Sequence, residues 1–173
     1  MIHLDFGPAG VGDAAELAAL HTAVAESLSD KFGKGPWSMR TTERGVLHAL
    51  RTTSVYVARD SARICGTLQL TKKKPWAIDT AYFSPCIKPI YLVGMAVVPA
   101  MQRQGIGRIC MQKIQVVARE LPVDAIRLDA YDAEAGAGKF YEKCGYAEVG
   151  RAVYRNAPLI YYELRLRERG SVG

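Results

Sequence analysis

Apolar and polar positions alternate along the chain in a way that divides it into short strands and amphipathic helices in mixed order. Ile2 to Phe6 has the period of a half-buried strand, and Gly7-Pro8-Ala9-Gly10 reads as the turn that ends it. Asp13, with Glu16 three residues on, has the form of a helix-start capping box. Leu17, Leu20, Val24 and Leu28 then share one helical face, with His21 beside them. Lys31 to Thr42, punctuated by Gly33, Gly35 and Pro36, reads as a loop carrying Trp37. Thr42-Glu43 opens a short second helix with Val46, Leu47 and Leu50 apolar. Ser54–Ala58 and Arg63–Leu70 read as strands joined by a hairpin turn at Arg59-Asp60-Ser61-Ala62.

The second half is patterned more strongly. Ile90 to Val98 is an apolar run of the kind a buried strand requires, and Pro99 ends it because proline has no N–H for a ladder. Beyond Gly105 and Gly107, the residues Ile106, Ile109, Cys110, Ile114, Val117 and Leu121 recur at helical spacing, until Leu121-Pro122 stops the helix. Ala125 to Tyr131 is another apolar strand. Strand, helix and strand form one crossover, which places the two strands parallel and adjacent. Glu134 to Cys144 reads as a helix with Gly145 as its left-handed cap. Ala147–Tyr154 and Leu159–Leu166 read as an antiparallel pair turning at Asn156-Ala157-Pro158. Thr71 to Pro89, with Trp76, Tyr82, Phe83 and three prolines, has no period. It is either a packed Ω-loop or a lid or wall over a site. Glu168 to Gly173 reads as a frayed tail.

Composition narrows the class. The 173 residues and 19.0 kDa fit one domain over 1–173, with an ordered core over about 1–167, large enough for a real core. A mean hydropathy of −0.02, with no run of 18 apolar residues, predicts no membrane span. Met1-Ile2-His3-Leu4-Asp5 lacks the basic-then-apolar order of a signal peptide. Cys65, Cys86, Cys110 and Cys144 are scattered without a Cys-x-x-Cys pair, the usage expected of reduced thiols in a cytoplasmic protein. The net charge of +6 suits either nucleic acid or a small polyanion. Lys72-Lys73-Lys74 is short, and Arg165-Leu166-Arg167-Glu168-Arg169 is interrupted. No aromatics interleave with these charges, which argues against a single-strand platform. His21 reads as a satisfied interface histidine.

The small polyanion has a place to bind. A strand, a glycine-containing turn and a helix start together present free backbone N–H groups and a partial positive charge. Glycine lets a phosphate approach the backbone, and Arg103 and Arg108 add formal charge. A dinucleotide fingerprint would put its first glycine directly at the strand end. Here six residues separate Val98 from Gly105, and its third glycine would fall at Cys110. The Walker lysine and hydroxyl are missing too, since Arg108-Ile109 follows Gly107. The stretch Gln102-Arg103-Gln104-Gly105-Ile106-Gly107 instead resembles the Gln/Arg-x-x-Gly-x-Gly/Ala motif of the GNAT (GCN5-related N-acetyltransferase) superfamily. Phe140-Tyr141-Glu142-Lys143-Cys144-Gly145-Tyr146 resembles that family's closing Phe-Tyr-Glu-Lys-x-Gly-Phe/Tyr signature. The two stand in the family's order, and the resemblance covers nearly the whole chain.

The resemblance implies a mixed α/β fold. Its sheet is mostly antiparallel, with six to seven strands and about four flanking helices, and one parallel pair is splayed for coenzyme A. It implies acetyl-coenzyme A as co-substrate, with no metal. Backbone groups at Gln102, Arg103, Gln104, Gly105, Gly107 and Arg108, with Ile106 in the same turn, would hold the pyrophosphate. Met95, Ala96 and Val97 would line the pantetheine, which pairs like an added strand, with Gly94 as a bulge or close approach. The Met95 amide would stabilise the developing oxyanion, and Tyr141 would protonate the departing thiolate. Tyr141 alternatively reads as a core aromatic. Glu134 departs from the Asn that many members carry. Tyr91 stands where some protein-acetylating members have a basic glutamate, so the base is left open among Tyr91, Asp129, Asp132 and water. The expected acceptor is the primary amine of a small molecule. The alternatives are a protein amino group, another acyl group, or a sensor domain that binds coenzyme A without chemistry. Trp37 either anchors its loop or lines the acceptor pocket. No nucleic-acid or membrane partner is expected, and the chain is expected as a monomer or homodimer.

Overall fold

The computed structural model describes residues 3–167. It contains seven strands, ordered β1-β2-β3-β4-β5-β7-β6 in one mixed, mostly antiparallel sheet. They are β1 (Asp5–Pro8), β2 (Ser54–Asp60), β3 (Arg63–Thr71), β4 (Pro89–Val97), β5 (Ala125–Tyr131), β6 (Ala147–Tyr154) and β7 (Ala157–Arg165). The α-helices are α1 (Ala14–Phe32), α2 (Glu43–Thr52), α3 (Ile106–Glu120) and α4 (Gly138–Lys143). By compactness the chain divides into two units. One takes the described residues up to Thr71 together with Val93–Lys113, and the other takes Lys72–Leu92 together with the described residues from Ile114 on.

In the first unit, β2 pairs antiparallel with β1 and β3, from Asp5↔Arg59 to Pro8↔Tyr56 and from Ser54↔Leu70 to Asp60↔Arg63. The apolar face of α1 packs into a core of Leu17, Leu20, Val46, Val55, Val57 and Ile64. Thr42 caps α2, accepting from the Gly45 amide at 3.1 Å. The first strand is shifted from the sequence expectation. It runs over Asp5–Pro8, so Gly7 and Pro8 are in it; Ile2 lies outside the described residues. Pro8 is tolerated because β1 is an edge strand. Asp13 stands at the N-cap position of α1, as expected, but its side chain makes no capping bond to that helix. Its carboxylate accepts from the Gly10 amide at 2.8 Å and pairs with Arg59 at 2.7 Å. Burial pushes this carboxyl up, but hydrogen bonds from Arg59 and Gly10 outweigh that and leave it below its ordinary value. Glu16 accepts from the Ile64 amide at 2.7 Å, so it ties α1 to β3 instead of closing a capping box.

In the second unit, β4 and β5 form the parallel pair, in register from Pro89↔Ala125 to Tyr91↔Arg127. β7 lies between β5 and β6, antiparallel to both. The β6–β7 turn is Arg155-Asn156 rather than Asn156-Ala157-Pro158, because Tyr154 pairs with Ala157. Both turn residues have positive φ, 48° and 65°, as a two-residue hairpin matched to sheet twist requires. Arg127 and Glu163 face each other in register and form a buried ion pair at 2.8 Å. The guanidinium also donates to the Ser84 carbonyl at 2.7 Å, and the Ser84 hydroxyl donates to Glu163. The expectation for Glu168–Gly173 lies outside the described residues.

Candidate functional site

The turn after β4 is built by local hydrogen bonds. Met101 N–H donates to the Val98 carbonyl at 2.9 Å, and Gln102 N–H to the Pro99 carbonyl at 3.3 Å. The Gln102 side chain reaches back to the Val97 carbonyl at 3.1 Å, and that of Gln104 to the Ala100 carbonyl at 3.3 Å. Arg103 and Gly105 have positive φ, 62° and 86°. A side chain at Gly105 would meet nothing within 4 Å, so backbone conformation alone, not space, calls for glycine there. Ile109 N–H to the Gly105 carbonyl, at 3.0 Å, is an i→i−4 bond of the kind that starts the helical ladder. The amides of Ile106, Gly107 and Arg108 precede it and have no acceptor inside the helix. Gly107 is already the second residue of α3. Arg103, Gln104, Gly105 and Arg108 are exposed, while Ile106 is a 1% exposed core anchor. These features fit a phosphate group: open amides at a helix start, backbone in the left-handed region, and two exposed guanidinium side chains. Gln102 fits less well than its sequence position suggests, because its amide already donates within the turn.

Upstream in β4, Met95 and Val97 are half-buried and Ala96 is buried. Gly94 has φ +63°, and a Cβ there would lie 2.7 Å from Gln69 Nε2. The Thr53 hydroxyl, which donates to the Ala49 carbonyl at 2.9 Å, also lies 3.1 Å from Gln69 Oε1 and tethers that side chain. Gln69 is a residue that sequence reasoning missed. Its only signal was a polar side chain within an otherwise apolar strand. Trp37 donates to the Gly33 carbonyl at 3.0 Å and folds over Gly35, so it anchors its own loop. His21 is half-buried, and burial lowers its pKa.

In the second unit, α4 is shorter than expected. It begins at Gly138, not Glu134. A Cβ at Gly136 would lie 1.8 Å from the Tyr131 carbonyl oxygen, so the chain runs back against β5 at the point where the sequence suggested helix. The C-terminus is as expected. Gly145 has φ +92°, its amide donates to Glu142 at 3.0 Å, and the Tyr146 amide donates to Tyr141 at 3.1 Å. That is the paired bonding of a Schellman cap. The cap holds Tyr141 against Tyr146 and Tyr162, with ring centroids at 6.1 and 6.0 Å. Tyr141 is 7% exposed. Burial pushes its phenol above the ordinary value, and the charges of Asp129 and Cys144 push it further. The group is therefore a neutral donor throughout the physiological range.

The three candidate bases have different environments. Tyr91 is buried in a cluster with Ile78, Phe83, Leu159 and Tyr161. Asp132 sits at the surface and pairs with Arg151 at 3.1 Å. Asp129 is half-buried, and burial raises its pKa. Glu134 is exposed. The Thr71–Pro89 segment is packed down through Ile78 and Phe83. It is tied to Tyr161, whose hydroxyl donates to the Ala77 carbonyl and accepts from the Asp79 amide at 3.2 Å. The Ω-loop alternative therefore describes it, although Trp76 stays 82% exposed. An open cavity of about 410 Å³ lies beside the start of β4, lined by Lys72, Ile87, Lys88, Pro89, Tyr91, Pro122 and Val123. Among the expected site residues only Tyr91 borders it. Two cysteines, Cys65 and Cys110, are buried, and burial pushes the Cys110 thiol up to about 12. Cys86 and Cys144 are half-buried, and none of the four is in a disulfide. Among the described residues no group of three His, Cys, Asp or Glu is arranged to hold a metal ion, and no helix is long and apolar enough to cross a membrane.

The family model "Acetyltransferase (GNAT) family" matches residues 21–146. The chain belongs to the GNAT acetyltransferase family. No curated protein sequence matches it. Solved structures show the same fold. Salmonella typhimurium yncA, solved with its cofactor acetyl-CoA, superposes with a TM-score of 0.72 at 14% identity, covering 97% of this chain and 96% of its own. The ribosomal-protein-S18-alanine N-acetyltransferase of Escherichia coli gives 0.73 at 13% identity, covering 98% of each chain. The aminoglycoside 6'-acetyltransferase type Ii gives 0.68 at 15% identity, covering 95% of this chain and 99% of its own.

Proposed function

We propose that the protein is an N-acetyltransferase that moves an acetyl group from acetyl-coenzyme A to the primary amine of a small molecule, by direct attack in a ternary complex. The observation that carries this reading is the turn that opens α3: left-handed backbone at Arg103 and Gly105, followed by helix-start amides with no intrahelical acceptor. Backbone groups from Arg103 to Arg108 hold the pyrophosphate, and the two arginine side chains add charge. Met95, Ala96 and Val97 line the pantetheine arm, and the Met95 amide donates to the carbonyl oxygen as it gains charge. When bound, acetyl-coenzyme A supplies an activated acyl group as its thioester. Tyr141 gives its proton to the sulfur that leaves. Burial keeps the Tyr141 phenol protonated, so the proton that the sulfur needs is present at physiological pH.

The test is calorimetry with acetyl-coenzyme A, followed by a thiol-release assay over alkylamines, aminoglycosides and peptides. The reading expects binding, and release that depends on a non-peptide amine. Binding without release on any acceptor would instead identify a sensor. Faster release with peptides than with small amines would move the acceptor to protein. A Gly105→Glu chain that bound acetyl-coenzyme A as tightly as the parent would remove the turn from the site.

A further inference from the structure

On the acetyl-transfer reading, an alkylamine acceptor arrives as an ammonium, since its ordinary pKa is near ~10.4. It must lose a proton before its nitrogen can attack. Asp129 lies on the β5 face that Arg127 and Tyr131 share by strand alternation, directly across from Tyr161 on β7. Arg127 is directed instead at Glu163 and the Ser84 carbonyl. Among the described residues, Asp129 forms no ion pair. The Asp129 charge raises the pKa of the phenols of Tyr131 on its own strand, Tyr161 opposite it on β7 and Tyr141 on α4. A half-buried carboxylate among phenols, with no cation to balance it, is placed to accept a proton.

We propose that Asp129 is the base that takes the acceptor's proton, and that its loss of charge releases Tyr141 to act as the acid. A phenol near ~10 protonates a thiolate near ~8.5 against a gradient of roughly 30-fold. Burial and the Asp129 charge both steepen that gradient. Once Asp129 is neutral, its part is gone. The protons balance. The ammonium gives one proton to the Asp129 carboxylate. The nitrogen–carbon bond forms as the carbon–sulfur bond breaks. Tyr141 passes its proton to the sulfur and regains one from the nitrogen as the amide forms. Asp129 returns its proton to water, so ammonium and thioester become amide, thiol and one free proton.

The experiment compares the parent chain with D129N and D129E, measuring kcat/KM against pH by thiol release. The acceptors are the best amine of the panel above and its analogue fluorinated beside the nitrogen, which is largely unprotonated at pH 7. D129N should lose about 10²-fold on the ordinary amine, with its acid limb displaced upward to follow the amine's own ionisation. On the fluorinated amine the loss should shrink below about fivefold, and D129E should recover part of the activity. Equal losses on both acceptors with an unchanged pH profile would overturn the assignment and leave acetyl transfer standing. A parent chain inert toward every amine would overturn both.

Discussion

Tyr141 is a residue whose neighbours set its chemistry. Two flanking rings and a helix cap hold it in place, and a buried hydroxyl keeps its proton until a strong enough base appears beside it. Tyr141→Phe keeps the rings and removes only the donor. It should lower kcat by roughly 10²–10⁴ while leaving acetyl-coenzyme A binding within about threefold, as steady-state kinetics beside calorimetry would show. Asp129 makes the opposite kind of statement. Its folded pKa is raised above the reference value of 3.8, so the folded state holds the proton more tightly than the unfolded one. The stability tied to that proton is complete below the unfolded value and is lost as pH rises through the folded one. Asp129→Asn should therefore stabilise the fold at pH 7, and the gain should vanish toward pH 3.5. Urea unfolding at the two pH values measures this. A group that costs stability at working pH is the kind that function retains.

At the scale of elements, the sequence was most legible where a periodic apolar run met a breaker. β5 has the expected bounds, and α3 and β4 differ from expectation by one residue. The start of α4 was not legible, because Glu134 to Ala137 is compatible with helix by composition and only the Tyr131 carbonyl, close against Gly136, excludes it. The Arg155-Asn156 turn was hidden because neither residue is glycine. Arg59 and Ile64, which bind the carboxylates of Asp13 and Glu16, lie 46 and 48 residues away, beyond the reach of any local pattern. Of the candidate site, the α3 turn and the Tyr141 helix were legible as motifs, whereas Gln69 and the setting of Asp129 depend on strand neighbours. Gly145→Ala should cost about 1–2 kcal/mol in urea unfolding, since its φ of +92° is open only to glycine without strain. Arg127→Met should cost about 3–5 kcal/mol by stranding the Glu163 carboxylate, and adding Glu163→Leu should recover much of that. A double-mutant cycle gives the comparison.

At the scale of the whole molecule, the net charge of +6 acts on a polyanionic co-substrate before any contact forms. Acetyl-coenzyme A association should slow by about tenfold between 0.05 and 0.5 M salt while the dissociation rate changes little, which stopped-flow binding would resolve. The two compact units are also interleaved in sequence. The first is left at Thr71, rejoined at Val93 and left again at Lys113. Neither is a contiguous segment, so a ribosome cannot finish one before starting the other. β7, which lies between β5 and β6, is the last described strand to be synthesised. A nascent chain stalled before Ala157 should then show little resistance to protease over β5 and β6, and stable structure should arrive late, in nearly one step. The border at Thr71 follows the end of β3, but those at Val93 and Lys113 fall inside β4 and α3, so neither unit can be excised by recombination without cutting a strand or a helix in two.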